Sequence, residues 1–131
     1  MNTHSFLILR LAAAASMFGH GLVRVPKLPG FSAWMLSNFE KSMLPTALVT
    51  PFSYALPVLE LVTGILLLLG LFTRQALYLG ALIMLILIFG SCMIEKWDWL
   101  PSQLLHTGLF ALLLNFIHNN TFALDNLVKH T

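Results

Sequence analysis

Four long apolar runs, separated by short polar connections, dominate the pattern of hydrophobic and polar positions along the chain. They cover residues about 5–25, 52–71, 75–94 and 101–119. Each is close to the roughly 20 residues that a helix needs to span the hydrocarbon core of a membrane. Strands this few could not close a barrel in lipid, so we predict helices. The expected fold class is therefore all-α, a transmembrane four-helix bundle.

The one long connection, residues 26–50, contains a further helical pattern in its middle. Within residues 31–44, "FSAWMLSNFEKSML", one face would carry apolar and small polar side chains: Phe31, Trp34, Met35, Asn38 and Ser42. Glu40 and Lys41 point elsewhere. This pattern predicts a short amphipathic helix that lies in the membrane interface. It could cover one end of the bundle as a lid, with Trp34 and Phe39 as the closing side chains.

Composition supports a membrane protein. Hydrophobic residues make up 58% of the 131 residues and charged residues 9%, whereas soluble domains are about 45–50% apolar and about 25% charged. We expect one domain, residues 1–131, in a bacterial inner (plasma) membrane, with the lipid bilayer as its first partner. A net charge of +2 spread over seven basic residues excludes a nucleic-acid patch, and the single cysteine excludes an intrachain disulfide.

One carboxylate, Glu60, lies inside the very apolar stretch "YALPVLELVTGILLLLGLFTR", residues 54–74. An ionisable side chain at the centre of a membrane helix costs about 2.5–3.5 kcal/mol on insertion scales. Glu60 should therefore face the bundle interior and have a partner. Its helix face is small and polar, which suits close helix packing. That face comprises Ser53, Pro57, Glu60, Thr63, Gly64 and Leu67.

The depth of each polar residue suggests its neighbours. At about 1.5 Å per residue, Glu60 lies roughly 12–14 Å from the membrane face of the long loop and Arg10 roughly 20 Å. We predict an ion pair between Arg10 and Glu60, since arginine favours bidentate contact with a carboxylate. His20 and His106 lie nearer that face, with Gln103 one turn above His106. Glu60, His20, His106 and Gln103 would then form a ligand-binding site beneath the loop.

Each of these residues also has a structural interpretation. The ion pair could serve only to fix the helix register, and either histidine could be a packed residue bonded to a carbonyl. Two imidazoles and a carboxylate could bind iron or zinc with open positions. The chain has no H-x-x-H or E-x-x-H spacing, however, so we predict no metal site.

Three pieces of the chain resemble one family. They are "RLAAAASMFGHGLVRVPKL", then "PVLELVTGILLLLGLFTRQALYLGALIML", and a fourth helix that carries His106. Together they look like the DoxX family of small four-helix membrane proteins, and the resemblance covers nearly the whole chain. In the family's terms, Arg10 and Glu60 match motif positions. The family is named for a subunit of an archaeal thiosulfate:quinone oxidoreductase, relatives are associated with membrane redox complexes, and a distant animal branch acts as a receptor-assembly chaperone.

Two functions from different classes follow. The first is a quinone-linked or lipophile-binding component of a membrane oxidoreductase complex. His106 and His20 would contact the headgroup, Glu60 would relay protons, and quinone is a possible cofactor. A component of this kind would need a redox partner subunit, and the chain could alternatively form a homo-oligomer. The second is a non-enzymatic assembly factor, chaperone or scaffold of the same fold. The sequence does not show that the chain catalyses a reaction.

Overall fold

The structure, a computed structural model, describes residues 1–128. These residues form helices and turns, with no strand in that range. The helices are α1 (Thr3–Arg24), α2 (Leu28–Phe39), α3 (Thr46–Leu69), α4 (Thr73–Met93), α5 (Leu100–Asn115) and α6 (Leu124–Val128). Single 3₁₀ turns lie at Val25–Lys27, Trp97–Trp99 and Ile117–Asn119. The predicted all-α class is confirmed.

Three helical stretches are long and apolar enough to span a membrane. They are Thr3–Phe39, which contains α1, and the helices α3 and α4. These are the first three predicted spans, with shifted ends. α3 begins six residues earlier than the predicted residue 52, directly after Pro45, whose extended backbone precedes the first turn. It ends at Gly70, which adopts a left-handed conformation at φ 67° that glycine tolerates.

The fourth predicted span is shorter than expected. α5 has 16 residues and ends at Asn115, not at residue 119. The chain then turns through the 3₁₀ turn Ile117–Asn119, and the Asn120 side chain that follows is buried and bonds Arg10 and Thr73. The structure thus supports the predicted four-helix transmembrane bundle in part, through three candidate spans.

Glycines allow a close approach of α1 and α3. A Cβ added at Gly21 would lie 2.5 Å from the backbone nitrogen of Leu61, and one added at Gly64 would overlap the backbone of Phe18. The two backbones therefore touch, as at small-residue interfaces between membrane helices. α5 packs along α4 and also contacts α1, and α3 contacts α4, so these four helices surround one buried core.

α2 lies across the end of the bundle that carries the long loop. It packs mainly against α3, where Ser32 Oγ and Ser53 Oγ are 2.6 Å apart. The helix runs from residue 28 to residue 39, whereas we predicted 31–44. Pro29 fits the first turn, where no N–H is needed. Ser42 donates to the carbonyl of Phe39 and so closes the end of the helix.

Candidate functional site

A cavity of about 740 Å³ lies beneath α2, in the half of the bundle nearest the long loop. Its walls are mostly apolar and come from α1 to α5. They include Met17, Met35, Phe52, Leu56, Met84 and Leu87. Natural ligand pockets measure about 300–1,000 Å³ and combine apolar walls with a few polar groups. The cavity has the size and surface of such a pocket.

The side chains that we predicted to meet beneath the loop all line this cavity: Glu60, His20, His106, Gln103, Trp34 and Phe39. They come from α1, α2, α3 and α5. The structure thus brings the predicted site residues together. Whether they bind a ligand remains a prediction, taken up below.

The predicted ion pair between Arg10 and Glu60 is wrong. Glu60 pairs with Arg24, whose Nη1 lies 3.0 Å from both Oε1 and Oε2. The Glu60 side chain is 4% exposed and that of Arg24 29%. Arg24 stands at the end of α1, where α2 folds over it, and its guanidinium lies 4.7 Å from the centre of the Phe31 ring. The cation therefore reaches Glu60 from the loop end of the bundle.

Arg10 belongs to a second polar cluster at the opposite end of the bundle. It is buried, and its Nη1 donates to Asn120 Oδ1 at 2.7 Å and to the carbonyl of Phe122 at 2.9 Å. Asn120 in turn donates to Thr73 Oγ1 at 3.0 Å. Asp125 accepts from the backbone N–H groups of residues 72 and 73. Arg10 thus ties the C-terminal segment to α1, and Asn120 and Asp125 tie the same segment to the start of α4.

Ser16 holds both histidines of the cavity. Its Oγ lies 2.6 Å from His106 Nε2, and its carbonyl lies 2.6 Å from His20 Nδ1. His106 Nδ1 is also 2.7 Å from the carbonyl of Ser102. Because a carbonyl only accepts, Nδ1 carries the hydrogen in both rings. Both nitrogens of His106 are therefore engaged, whereas His20 Nε2 has no partner among residues 1–128.

Gln103 is also engaged. Its amide and the hydroxyl of Ser91 exchange two hydrogen bonds of 3.1 and 2.9 Å, which link α5 to α4. Both side chains line the cavity. Gln103 therefore joins α5 to α4 in the cavity wall, and its amide keeps one N–H and one lone pair that Ser91 does not use.

The two aromatic residues of the predicted lid hold α2 in different ways. The Trp34 ring stacks on Trp99, with ring centres 5.6 Å apart, and on Phe31 at 5.8 Å. Trp34 is 47% exposed. The Phe39 ring packs against Gly90 of α4. α2 thus spans the cavity from α3 to the turn before α5, and its movement as a lid stays a prediction.

Two residues of the site were missed, Arg24 and Ser16. The sequence does carry a signal for them, since Ser16, His20 and Arg24 are spaced four residues apart and so lie on one face of α1. Both imidazoles lie within electrostatic range of the Glu60 carboxylate. The polar end of the cavity is therefore one ion pair flanked by two oriented histidines. Among residues 1–128, no three His, Cys, Asp or Glu side chains group as metal ligands would.

The family model of DoxX matches residues 5–92. This segment contains α2 and α3 whole, α1 without its first two residues and α4 without its last residue. Glu60, His20, Trp34 and Phe39 lie within it, whereas Gln103 and His106 lie beyond it. No curated protein and no solved structure matches the chain. The match covers more than half of the chain and agrees with the apolar spanning helices. The chain therefore belongs to the DoxX family and is an integral membrane protein.

Proposed function

We propose that this protein binds a lipophile with a polar head, such as a quinone, in the cavity beneath α2, as a component of a membrane oxidoreductase complex. The observation that carries the proposal is the cavity itself. It combines about 740 Å³ of mostly apolar space with one partly buried ion pair, Arg24–Glu60. The apolar walls suit the ring and tail of such a molecule. The ion pair and the neighbouring His20 suit its polar head.

A quinone, when bound, supplies electron and proton transfer that these side chains cannot supply alone. The residues of the chain would orient the head and exchange protons with it. Glu60 and His20 are the groups that can do so, because carboxylates and imidazoles exchange protons readily in buried sites. Ser16 and Gln103 would hold the surrounding side chains in place. Electrons would pass to a partner subunit, and we propose that such a subunit is present.

The same proposal extends to the architecture. α5 covers about 24 Å at 1.5 Å per residue, and the 3₁₀ turns at its two ends lengthen it. We propose that α5 is the fourth membrane-spanning helix, which completes a single four-helix domain in a bacterial inner membrane. In this arrangement the exposed leucines of α5, Leu104, Leu105 and Leu112, face lipid.

The test is purification in mild detergent followed by extraction and mass spectrometry of bound lipophiles. Leu87→Trp places a large ring in the cavity wall, whereas Leu85→Trp, on the same helix, adds it at a position that is 56% exposed and outside the cavity. We expect wild type and Leu85→Trp to retain the same lipophile and Leu87→Trp to lose it. Thermal unfolding of all three proteins shows whether each is folded.

The alternative function, an assembly factor or scaffold, predicts a different outcome. The cavity would then be a packing feature, and no lipophile would be retained above the amount in an unrelated membrane protein of equal size. Glu60→Gln would lower the stability without changing any bound compound. That result would refute the proposed binding function.

A further inference from the structure

The polar atoms of the cavity differ in whether they are free to meet a ligand. His106 uses both ring nitrogens, and the Gln103 amide is paired with Ser91. Arg24 donates Nη1 to both Glu60 oxygens and rests on the Phe31 ring. These side chains are held in place by contacts within the protein, and the Gln103 amide and the Arg24 guanidinium each keep further N–H groups that are not used in those contacts.

The atom beside the ion pair that is both unpartnered among residues 1–128 and held in a fixed orientation is an acceptor, Nε2 of His20. Neutral His20 donates through Nδ1 to Ser16, which leaves Nε2 as a lone pair with no partner among the described residues. Asn38 donates one N–H of its amide to the carbonyl of Trp34, which leaves its oxygen and its second N–H open. The carboxylate of Glu60 can only accept. All three side chains line the cavity.

From this pattern we infer that the cavity selects a lipophile with a hydroxyl head, and that the hydroxyl donates to Nε2 of His20. This inference rests on the proposed binding function and names its ligand class: a quinol, an alkylphenol or another lipophilic alcohol, in preference to the matching carbonyl compound. A carbonyl head accepts only. It could accept from several side chains of the cavity, but it would leave Nε2 of His20 without a partner. These donors are the free N–H groups of Arg24, Asn38 and Gln103, the Ser102 hydroxyl and the indoles of Trp34 and Trp99. A hydroxyl head can accept from the same groups and also donate to Nε2, so it gains one hydrogen bond.

His20 is suited to this role by its position as well as its free nitrogen. It is exposed at the surface of α1, yet its ring lines the cavity, so a head can reach Nε2 without displacing a packed side chain. The bond of Nδ1 to Ser16 fixes the tautomer that presents the lone pair. His20 is therefore the discriminating residue, and Ser16 is the positioning residue that acts through it.

The test uses three probes of one skeleton: a decyl hydroquinone, its dimethyl ether and the decyl quinone. Their partition between the protein and detergent micelles is measured by equilibrium dialysis, without oxygen and at mildly alkaline pH so that imidazoles are neutral. We expect the hydroquinone to bind about tenfold more tightly than the ether, the order expected for one hydrogen bond. The quinone should bind no better than the ether.

Variants separate the inference from the function on which it rests. His20→Phe should bind hydroquinone and ether equally, His20→Gln should keep part of the preference through its amide oxygen, and His118→Phe, a matched control outside the cavity, should behave as wild type. Binding of all three probes without preference, or preference for the quinone, would overturn the inference and leave the binding function standing. Binding of none of them, with folded protein, would count against both.

Discussion

Glu60 shows how far a single residue can be predicted in a membrane protein. Its cost in lipid required an inward position and a cationic partner, and both are found. Which arginine pairs with Glu60 could not be predicted, because depth along each helix does not show how the helices pack against one another. Arg24 is the last residue of α1, and α2 folds over that end and places Phe31 against its guanidinium. We predicted Arg10 as the partner because its side chain is long enough to reach Glu60. In the structure Arg10 instead donates to Asn120, at the opposite end of the bundle from the Arg24–Glu60 pair.

A double-mutant cycle tests the observed pairing. We expect Arg24→Met to lower the free energy of unfolding by up to about 3 kcal/mol, because it leaves a buried carboxylate without a partner. Glu60→Gln should lower it less, since Arg24 is 29% exposed and can reach water. The pair should be coupled by about 0.5–3 kcal/mol, measured by unfolding in detergent.

The matched control is the cycle of Arg10→Met with Glu60→Gln. These two residues share no partner, so their effects should add. Coupling between Arg10 and Glu60, together with additive effects of Arg24 and Glu60, would contradict the Arg24–Glu60 ion pair.

At the scale of the helices, the apolar runs and the small face of α3 were sufficient to predict where α1, α3 and α4 lie and that Gly64 is at an interface. The end of α5 was not predictable in this way. The apolar pattern continues to Ile117, whereas the helix ends at Asn115. The segment after it is held by bonds of Asn120 to Arg10 and Thr73, which are more than forty residues away in sequence. Local patterns carry no information about such contacts.

The α1–α3 contact makes a prediction about two glycines of one helix. Gly21→Ala should lower the melting temperature, because the new methyl group meets the backbone of Leu61 and overpacking costs about 1–3 kcal/mol. Gly19→Ala meets nothing within 4 Å, so it should leave the melting temperature unchanged or raise it slightly. The melting temperatures are measured by circular dichroism in detergent. An equal decrease in the two variants would argue against the contact between α1 and α3.

Asp125 makes a prediction about the start of α4. Its carboxylate accepts from the backbone N–H groups of Phe72 and Thr73 at 2.6 and 2.9 Å, so Asp125→Ala should remove a helix cap worth about 1 kcal/mol. Hydrogen exchange at these two amides should accelerate. Asp98→Ala, an exposed aspartate at the cavity, is the control and should leave both amides protected. Unchanged protection in Asp125→Ala would refute the cap.

At the scale of the whole molecule, polar side chains at membrane depth collect in two places. One lies beneath α2 and adjoins a cavity, and the other, around Arg10, joins the C-terminal segment to the bundle. The convergence of Glu60, His20, His106 and Gln103 could be predicted from depth alone, since each is costly in lipid. The cavity could not, because its volume depends on how α2 docks across four helices.

The docking of α2 gives a test of the predicted lid. Ser32 and Ser53 have hydroxyl oxygens 2.6 Å apart, so Ser32→Cys with Ser53→Cys, in a Cys92→Ser background, should form a disulfide on oxidation. If α2 must lift to admit a ligand, the oxidised protein should exchange bound lipophile several-fold more slowly, and reduction should restore the rate. Equal exchange in both states, measured by release of a radiolabelled probe, would mean that α2 does not gate the cavity.

The measurement that tests the central claim most directly is photo-crosslinking of an azidoquinone to the protein in native membranes, with the labelled residues mapped by mass spectrometry. We predict label on cavity residues of α1, α2 and α3 around the Arg24–Glu60 pair, lost in Leu87→Trp and retained in Leu85→Trp. Label spread over the lipid-facing positions of α4 and α5, and unaffected by Leu87→Trp, would contradict the claim that this cavity is a binding site.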